Sequence, residues 1–200
     1  MKFVSYLTKK KEERVGLWID GKIVDLDKKR ALPKEKILKL LSPIPHPPSV
    51  RDAYAFRQHV EAARKNRGLG MIPEFDQFPV FYYTNPNAII GEGGVTVESD
   101  HLERLDFELE IAAVIGKKGK NIEAKDADSY IIGFTIMNDF SARQLQEEEM
   151  KLNLGPAKGK DFATALGPWL VTLDELEAYK IKTPAGNKYD LDMTAWHNGK

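Results

Sequence analysis

The chain has 200 residues, 42% of them apolar, with 30 Lys or Arg against 30 Asp or Glu. That is enough apolar material for one ordinary domain with a small accessory module, and a net charge of zero argues against a general nucleic-acid surface, because a short run such as Lys9-Lys10-Lys11 is commonly a solvated turn. With no cysteine there is neither a disulfide framework nor a thiolate metal site, and no apolar run has the length of a signal peptide core or a membrane span, so the chain reads as soluble and cytoplasmic.

Residues 3–7, 15–19 and 22–26 read as three short strands, the last two joined by a hairpin turn at Asp20-Gly21. Residues 33–41 read as a helix, with Ile37, Leu38, Leu40 and Leu41 on its apolar face and Pro33 in the first turn, where its missing N–H costs nothing. Four prolines in residues 43–48 can hold neither a ladder nor a helix. A boundary placed there gives a small N-terminal module, residues 1–45, and a main domain, residues 46–200; His46 in the linker faces solvent.

Residues 49–67 read as a second helix, with Ala53, Phe56, Val60 and Ala63 on one face and Gly68 ending it. Ser49 is a candidate N-cap, which gives Asp52 a bland role in a capping-box-like start. Residues 78–84 and 95–98 read as strands, and the Gly91-Glu92-Gly93-Gly94 cluster between them lacks the Lys-Ser or Lys-Thr ending of a phosphate loop. Further on, residues 105–116 and 131–137 are apolar strands, and Asn138-Asp139 falls where the second turns into a helix. Many strands and few helices make the main domain mostly β (α+β), and no internal repeat or low-complexity tract occurs.

Leu105-Asp106-Phe107-Glu108-Leu109-Glu110-Ile111 is electrostatically awkward. Along a strand Glu108 and Glu110 share one face, roughly 7 Å apart, and two such anions repel unless a cation sits between them. One reading is a solvated acidic edge. The other is a hard divalent ion, which prefers carboxylate oxygens. Asp139 carries the same ambiguity, as the cap of the helix that follows or as a further ligand.

Glu108-Leu109-Glu110 together with Asn138-Asp139-Phe140-Ser141-Ala142-Arg143-Gln144-Leu145-Gln146 resembles the fumarylacetoacetate hydrolase family, in which these two segments build a divalent-metal site. Asp52 and His59, seven residues apart, resemble the family's remaining metal ligand and its catalytic histidine. Lys158-Gly159-Lys160-Asp161, followed by Gly167-Pro168-Trp169, resembles its lysine-bearing loop and the next strand. The resemblance spans residues 49–171. It implies a rolled β-sandwich, a metal held by Asp52, Glu108, Glu110 and Asp139, and a homodimer. The metal would be Mg2+, with Mn2+ or Ca2+ as substitutes.

The implied chemistry is cleavage of a carbon–carbon bond in a diketo acid of the fumarylacetoacetate or acylpyruvate type. The ion grips two substrate oxygens and acts as electron sink, while His59 activates water as general base. Arg143, Gln146 and Lys160 donate to the developing oxyanion and the substrate carboxylate; the bland alternative is an exposed helix face with structural ion pairs. Tyr82 and Tyr83 can line the pocket, although strand tyrosines need no functional reason. Decarboxylation, hydration or isomerisation of a 2-oxo acid on the same site is the alternative reaction, and a non-catalytic module that binds an ion or a partner is the alternative of another class.

Two departures stand out. Thr84 replaces a lysine found in many short members of the family, which favours the fumarylacetoacetase-like branch. Members of the family also continue for about a hundred residues more, with an acidic partner for the histidine. Here the sequence stops at a hairpin-like Asn198-Gly199, and Glu61 is a poor substitute for that partner, so the C-terminal part of the domain is expected to be missing and the exposed strand edges to need covering.

Overall fold

In the computed structural model, which describes residues 1–200, the chain begins with β1 (Lys2–Thr8), β2 (Glu13–Ile19) and β3 (Lys22–Asp25), as the alternation predicts. The β2–β3 hairpin turns on Asp20 and Gly21, whose φ values of 47° and 76° are the two left-handed positions a two-residue type I′ turn requires. β4 (Arg30–Ala31) pairs with β3.

The helix expected over residues 33–41 is absent. Only Lys34–Lys36 form a 3-10 turn, and β5 (Ile37–Leu41) is a strand. Its four apolar residues fit helical spacing, but antiparallel pairing with β1, which sets Ser5 opposite Leu41 and Tyr6 opposite Leu40, overrides that local preference. Residues 49–67 also divide: β6 (Val50–Ala53) is extended and α1 (Arg57–Asn66) begins later, at an N-cap position held by Phe56. Asp52 therefore lies on a strand, and Ser49 caps no helix. β6 pairs with β7 (Phe81–Thr84), which puts Asp52 directly opposite Tyr82.

Residues 95–98 are not a strand; the short β8 (Ile89–Ile90) precedes them. The run 105–116 splits at Phe107-Glu108 into β9 (Leu105–Asp106) and β10 (Leu109–Ile115). Then come β11 (Ile131–Asp139), β12 (Ser141–Ala142), α2 (Arg143–Met150), β13 (Thr164–Leu166), β14 (Leu170–Thr172), β15 (Lys180–Thr183) and β16 (Gly186–Tyr189). Mainly β with two α-helices, the architecture matches the expected class. Neither helix is long and apolar enough to cross a membrane.

The main sheet runs β4-β3-β2-β1-β14-β11-β13-β8, with β5 also on β1 and β10 also on β11. The N-terminal strands thus share one sheet with the strands that carry the acidic residues. β1 divides one edge between two neighbours, Lys2 and Phe3 facing β14 while residues from Ser5 onward face β5. Gly133 makes the β11–β14 approach possible, since a Cβ there would lie 2.3 Å from the Val171 carbonyl oxygen. Val4, Tyr6, Ile23 and Leu32 form the core of the N-terminal strands, with Trp18 and Trp169 packed against it. Inside it the Tyr6 hydroxyl donates to buried Asp25, whose other oxygen accepts the Lys28 N–H at 2.7 Å.

The β10–β11 ribbon has two unlike faces. Register pairs Ile111 with Ile136 and Glu110 with Met137. Because side chains alternate, Ile111, Ile115, Ile132 and Ile136 share one face, and all four are exposed. Glu110, Thr135, Met137 and Asp139 share the other. The accessible surface is 14175 Å², where a compact monomer of this mass has about 9,500 Å², so much apolar surface lies open. Such patches associate. The purified chain should self-associate or bind a hydrophobic dye, and Ile111→Lys with Ile136→Lys should reduce both, read by light scattering and dye fluorescence; monodisperse, dye-silent wild type would contradict this.

Candidate metal centre

Strand geometry brings the acidic residues together. Glu108 immediately precedes β10, its carbonyl accepts the Asp139 N–H at 3.2 Å, and its own N–H donates to Asn138 Oδ1 at 3.2 Å. Glu110 lies two residues on, toward the same side. Asp139 ends β11 four residues before α2 starts, and the N-cap position of that helix is Ala142, so capping does not account for it. Asp52 comes from the separate β6–β7 ribbon. One carboxylate oxygen from each of these four residues lies within 4.8 Å of the others.

Two full negative charges at that separation repel by about 3.5 kcal/mol at an effective dielectric of about 20, and a few such pairs rival the whole stability of a domain, about 5–15 kcal/mol. Two cations offset part of this. Buried Lys160 sends its Nζ to Glu108 Oε2 at 2.6 Å, Asp139 Oδ2 at 2.9 Å and Ser141 Oγ at 2.7 Å. An ammonium has three donors, so all of them are engaged. Arg143 places Nη1 2.7 Å from Glu108 Oε1 and donates its Nε to Asp106 Oδ2 at 2.8 Å and Nη1 to Gln146 Oε1 at 3.2 Å.

The lysine loop is seated by contacts with no sequence signal. Glu149 on α2 accepts the N–H groups of Ala157, Lys158 and Gly159 at 2.8, 2.8 and 3.0 Å. Gly159 lies so close to α2 that a Cβ would sit 2.8 Å from the Gln146 Cα. Ser141, given no role by the sequence reading, is another contributor, as is Tyr82, which that reading places only as a possible lining of the pocket. Tyr82 reaches both Asp52 and Asp139, and period-two alternation on β7, with Tyr83 turned outward, was the one clue to it.

Protonation follows the layout. Burial would raise the Glu108 carboxyl, but Lys160 and Arg143 outweigh burial and hold it below the ordinary glutamate value. Glu110 has no cation bonded to it; burial, then Asp52, Glu108 and Asp139, push it up to about 8. Burial raises Asp139 to about 6 against the pull of Lys160 and Tyr82. Burial and the Asp139 charge raise the Tyr82 phenol, which keeps its proton.

The donor set suits a hard divalent ion. It is all oxygen, its anions outnumber its cations, and the buried Asp139 Oδ1 has no hydrogen-bond partner, which leaves an acceptor that a cation could satisfy. Of the expected site residues, Asp52, Glu108, Glu110, Asp139, Arg143, Gln146 and Lys160 are brought together. His59 lies on the first turn of α1, exposed and without a hydrogen-bond partner among the side chains.

Comparison with known proteins gives the same direction. Residues 49–200 match the family model described as fumarylacetoacetate (FAA) hydrolase C-terminal. The chain is 38% identical over 143 residues to a fumarylacetoacetase of Oryza sativa, an alignment covering 63% of this chain and 33% of that protein. It is 30% identical over 152 residues to an oxaloacetate tautomerase of Bacillus subtilis, covering 73% and 48%. A solved fumarylacetoacetate hydrolase of Exiguobacterium antarcticum superposes with a TM-score of 0.65 at 23% identity, covering 90% of this chain and 69% of that one, which is a likeness of fold. The chain thus spans about a third of the length of the plant enzyme it matches.

Without metal, stability should depend on pH through the raised carboxyls. Glu110 near 8, above its ordinary 4.5, contributes stability that is fully present below pH 4.5 and is lost as pH rises through about 8; Asp139 acts alike up to about 6. Melting temperature in chelator is expected to fall across that interval, saturating Mg2+ to restore it, and Glu110→Gln to flatten the fall. A pH-independent melting temperature in the metal-free wild type would refute the assignment.

Proposed function

The chain belongs to the fumarylacetoacetate hydrolase family, and from that premise we propose that it serves a divalent-metal enzyme that cleaves a carbon–carbon bond in a diketo acid of the fumarylacetoacetate or acylpyruvate type. The observation that carries this reading is the four-carboxylate cluster flanked by Lys160 and Arg143. Asp52, Glu108, Glu110 and Asp139 are the proposed ligands, and Mg2+ the proposed ion. When bound, such an ion supplies Lewis acidity toward the carbonyl and enolate oxygens of the substrate.

The chain's own residues divide the remaining work. Arg143 is held between Asp106 and Glu108, which orients its planar guanidinium beside Gln146; this pair binds the substrate carboxylate and the oxygen that gains charge. Lys160, with every donor engaged, serves as the fixed counter-charge that lets the acids stay close. His59, free of hydrogen-bonded partners, takes a proton from water, whose oxygen attacks the distal carbonyl carbon; the bond between that carbon and its neighbour then breaks, and its electron pair passes into the departing enolate. A homodimer in the cytoplasm completes the proposal.

A second reaction has specific support. The 30% identity to an oxaloacetate tautomerase extends over 73% of this chain, and keto–enol exchange of a 2-oxo acid would need the same carboxylates and only a proton transfer. Product analysis separates the two: acylpyruvate split into two acids favours hydrolysis, whereas altered keto–enol exchange of oxaloacetate without cleavage favours the tautomerase. Metal binding with neither activity would leave a binding module.

Glu108→Gln is expected to lose most Mg2+ affinity by calorimetry, since it removes an anion and leaves Lys160 and Arg143 short of a negative partner. His59→Ala should retain the metal while turnover on the preferred substrate falls by about 10²- to 10⁴-fold. Wild-type turnover in His59→Ala would remove it as the base; undiminished Mg2+ affinity in Glu108→Gln would remove that ligand.

A further inference from the structure

Tyr82 sits where two separately built parts of the centre meet. Cross-strand register sets it opposite Asp52 on the β6–β7 ribbon, while Asp139 ends β11 of the main sheet. The single phenol hydrogen lies between Asp52 Oδ2, 2.8 Å away, and Asp139 Oδ2. Asp52 makes no other side-chain hydrogen bond or ion pair, so nothing else of that kind fixes its carboxylate relative to the other three. Asp139 has its Oδ2 taken up by Tyr82 and by Lys160 at 2.9 Å, and its Oδ1 is left buried and unpartnered.

We propose that Tyr82 is a positioning residue for the metal: its hydroxyl clamps Asp52 to Asp139, turns their free oxygens inward, and holds them at a spacing that favours a small, rigidly coordinated ion over a larger one. The inference rests on reading the four carboxylates as the metal centre. Hydrogen bonds to ligating groups set both their orientation and the affinity of the site. Selectivity follows from the demands of the two ions, because Mg2+ requires short bonds in near-octahedral geometry whereas Ca2+ accepts an irregular set at longer range. A clamp that removes slack between two ligands therefore matters more for Mg2+.

The test is titration of the metal-free protein with MgCl2 and with CaCl2 by calorimetry, comparing wild type with Tyr82→Phe, Tyr83→Phe and Glu110→Gln, the fold of each being checked by circular dichroism. Tyr82→Phe keeps the ring and deletes only the hydroxyl. It should weaken Mg2+ binding by about 10- to 100-fold and Ca2+ binding by distinctly less, so that the ratio of the two affinities shifts. Tyr83, outward on the same strand with its hydroxyl accepting from Arg51 at 3.2 Å, should give wild-type values as phenylalanine. If Glu110→Gln abolishes binding while Tyr82→Phe changes nothing, weakens both ions equally, or is matched by Tyr83→Phe, the centre stands and the role of Tyr82 is overturned. If Glu110→Gln binds both ions as wild type does, the reading of the centre itself fails and the clamp with it.

Discussion

Four carboxylates with oxygens inside 4.8 Å of one another repel strongly, and the rest of the centre is arranged around that repulsion. Lys160 is buried and spends its whole donor capacity there, while Arg143 approaches from α2 and is steadied by Asp106, outside the cluster. An ion pair taken out of water is weak support for a fold, because desolvation of the charges cancels much of their attraction. What sustains this one is the density of further hydrogen bonds from Ser141, Asn138 and the backbone. The excess of anions that remains is the property a bound cation would use.

Positioning is divided between the backbone and a few side chains. The β10–β11 ladder fixes Glu110 and Asp139 by register, and the alternation that turns them inward turns Ile111 and Ile136 outward. Glu149 and Gly159 tie the lysine loop to α2, so the same helix that carries Arg143 and Gln146 also sets the height of Lys160. A shift of α2 would move three functional side chains together.

The sequence made some of this readable. The hairpin at Asp20-Gly21 and the long strands around Glu110 and Asp139 carry local signals, a turn chemistry or a period of two, whereas the motif residues from Glu108 to Lys160 stand out only through their resemblance to the family. Misreadings arose where pairing partners lie far away in sequence. Residues 37–41 fit a helix until β1 is laid beside them, and Asp52 reads as a helix-start residue until Tyr82, 30 positions later, is placed opposite. Tyr82 reads as a possible lining of the pocket and no more, because a tyrosine on a strand is explained by packing alone and its bridge to Asp139 spans 57 positions.

The divided edge of β1 also has a consequence in time. Its residues from Ser5 onward find β5 within about forty residues of chain, but Lys2 and Phe3 pair with Val171 and Leu170. During synthesis, at about 5–20 residues per second, the start of β1 waits on the order of ten to thirty seconds for that partner. Over this interval the first five strands can close their own small core around Val4 and Tyr6, and the ladder to β14 joins them to the acidic ribbon only once residues 170–172 have emerged. The order of assembly is thereby built into the topology: a local unit first, then a late seam of high contact order that locks it beside the strands bearing the carboxylates.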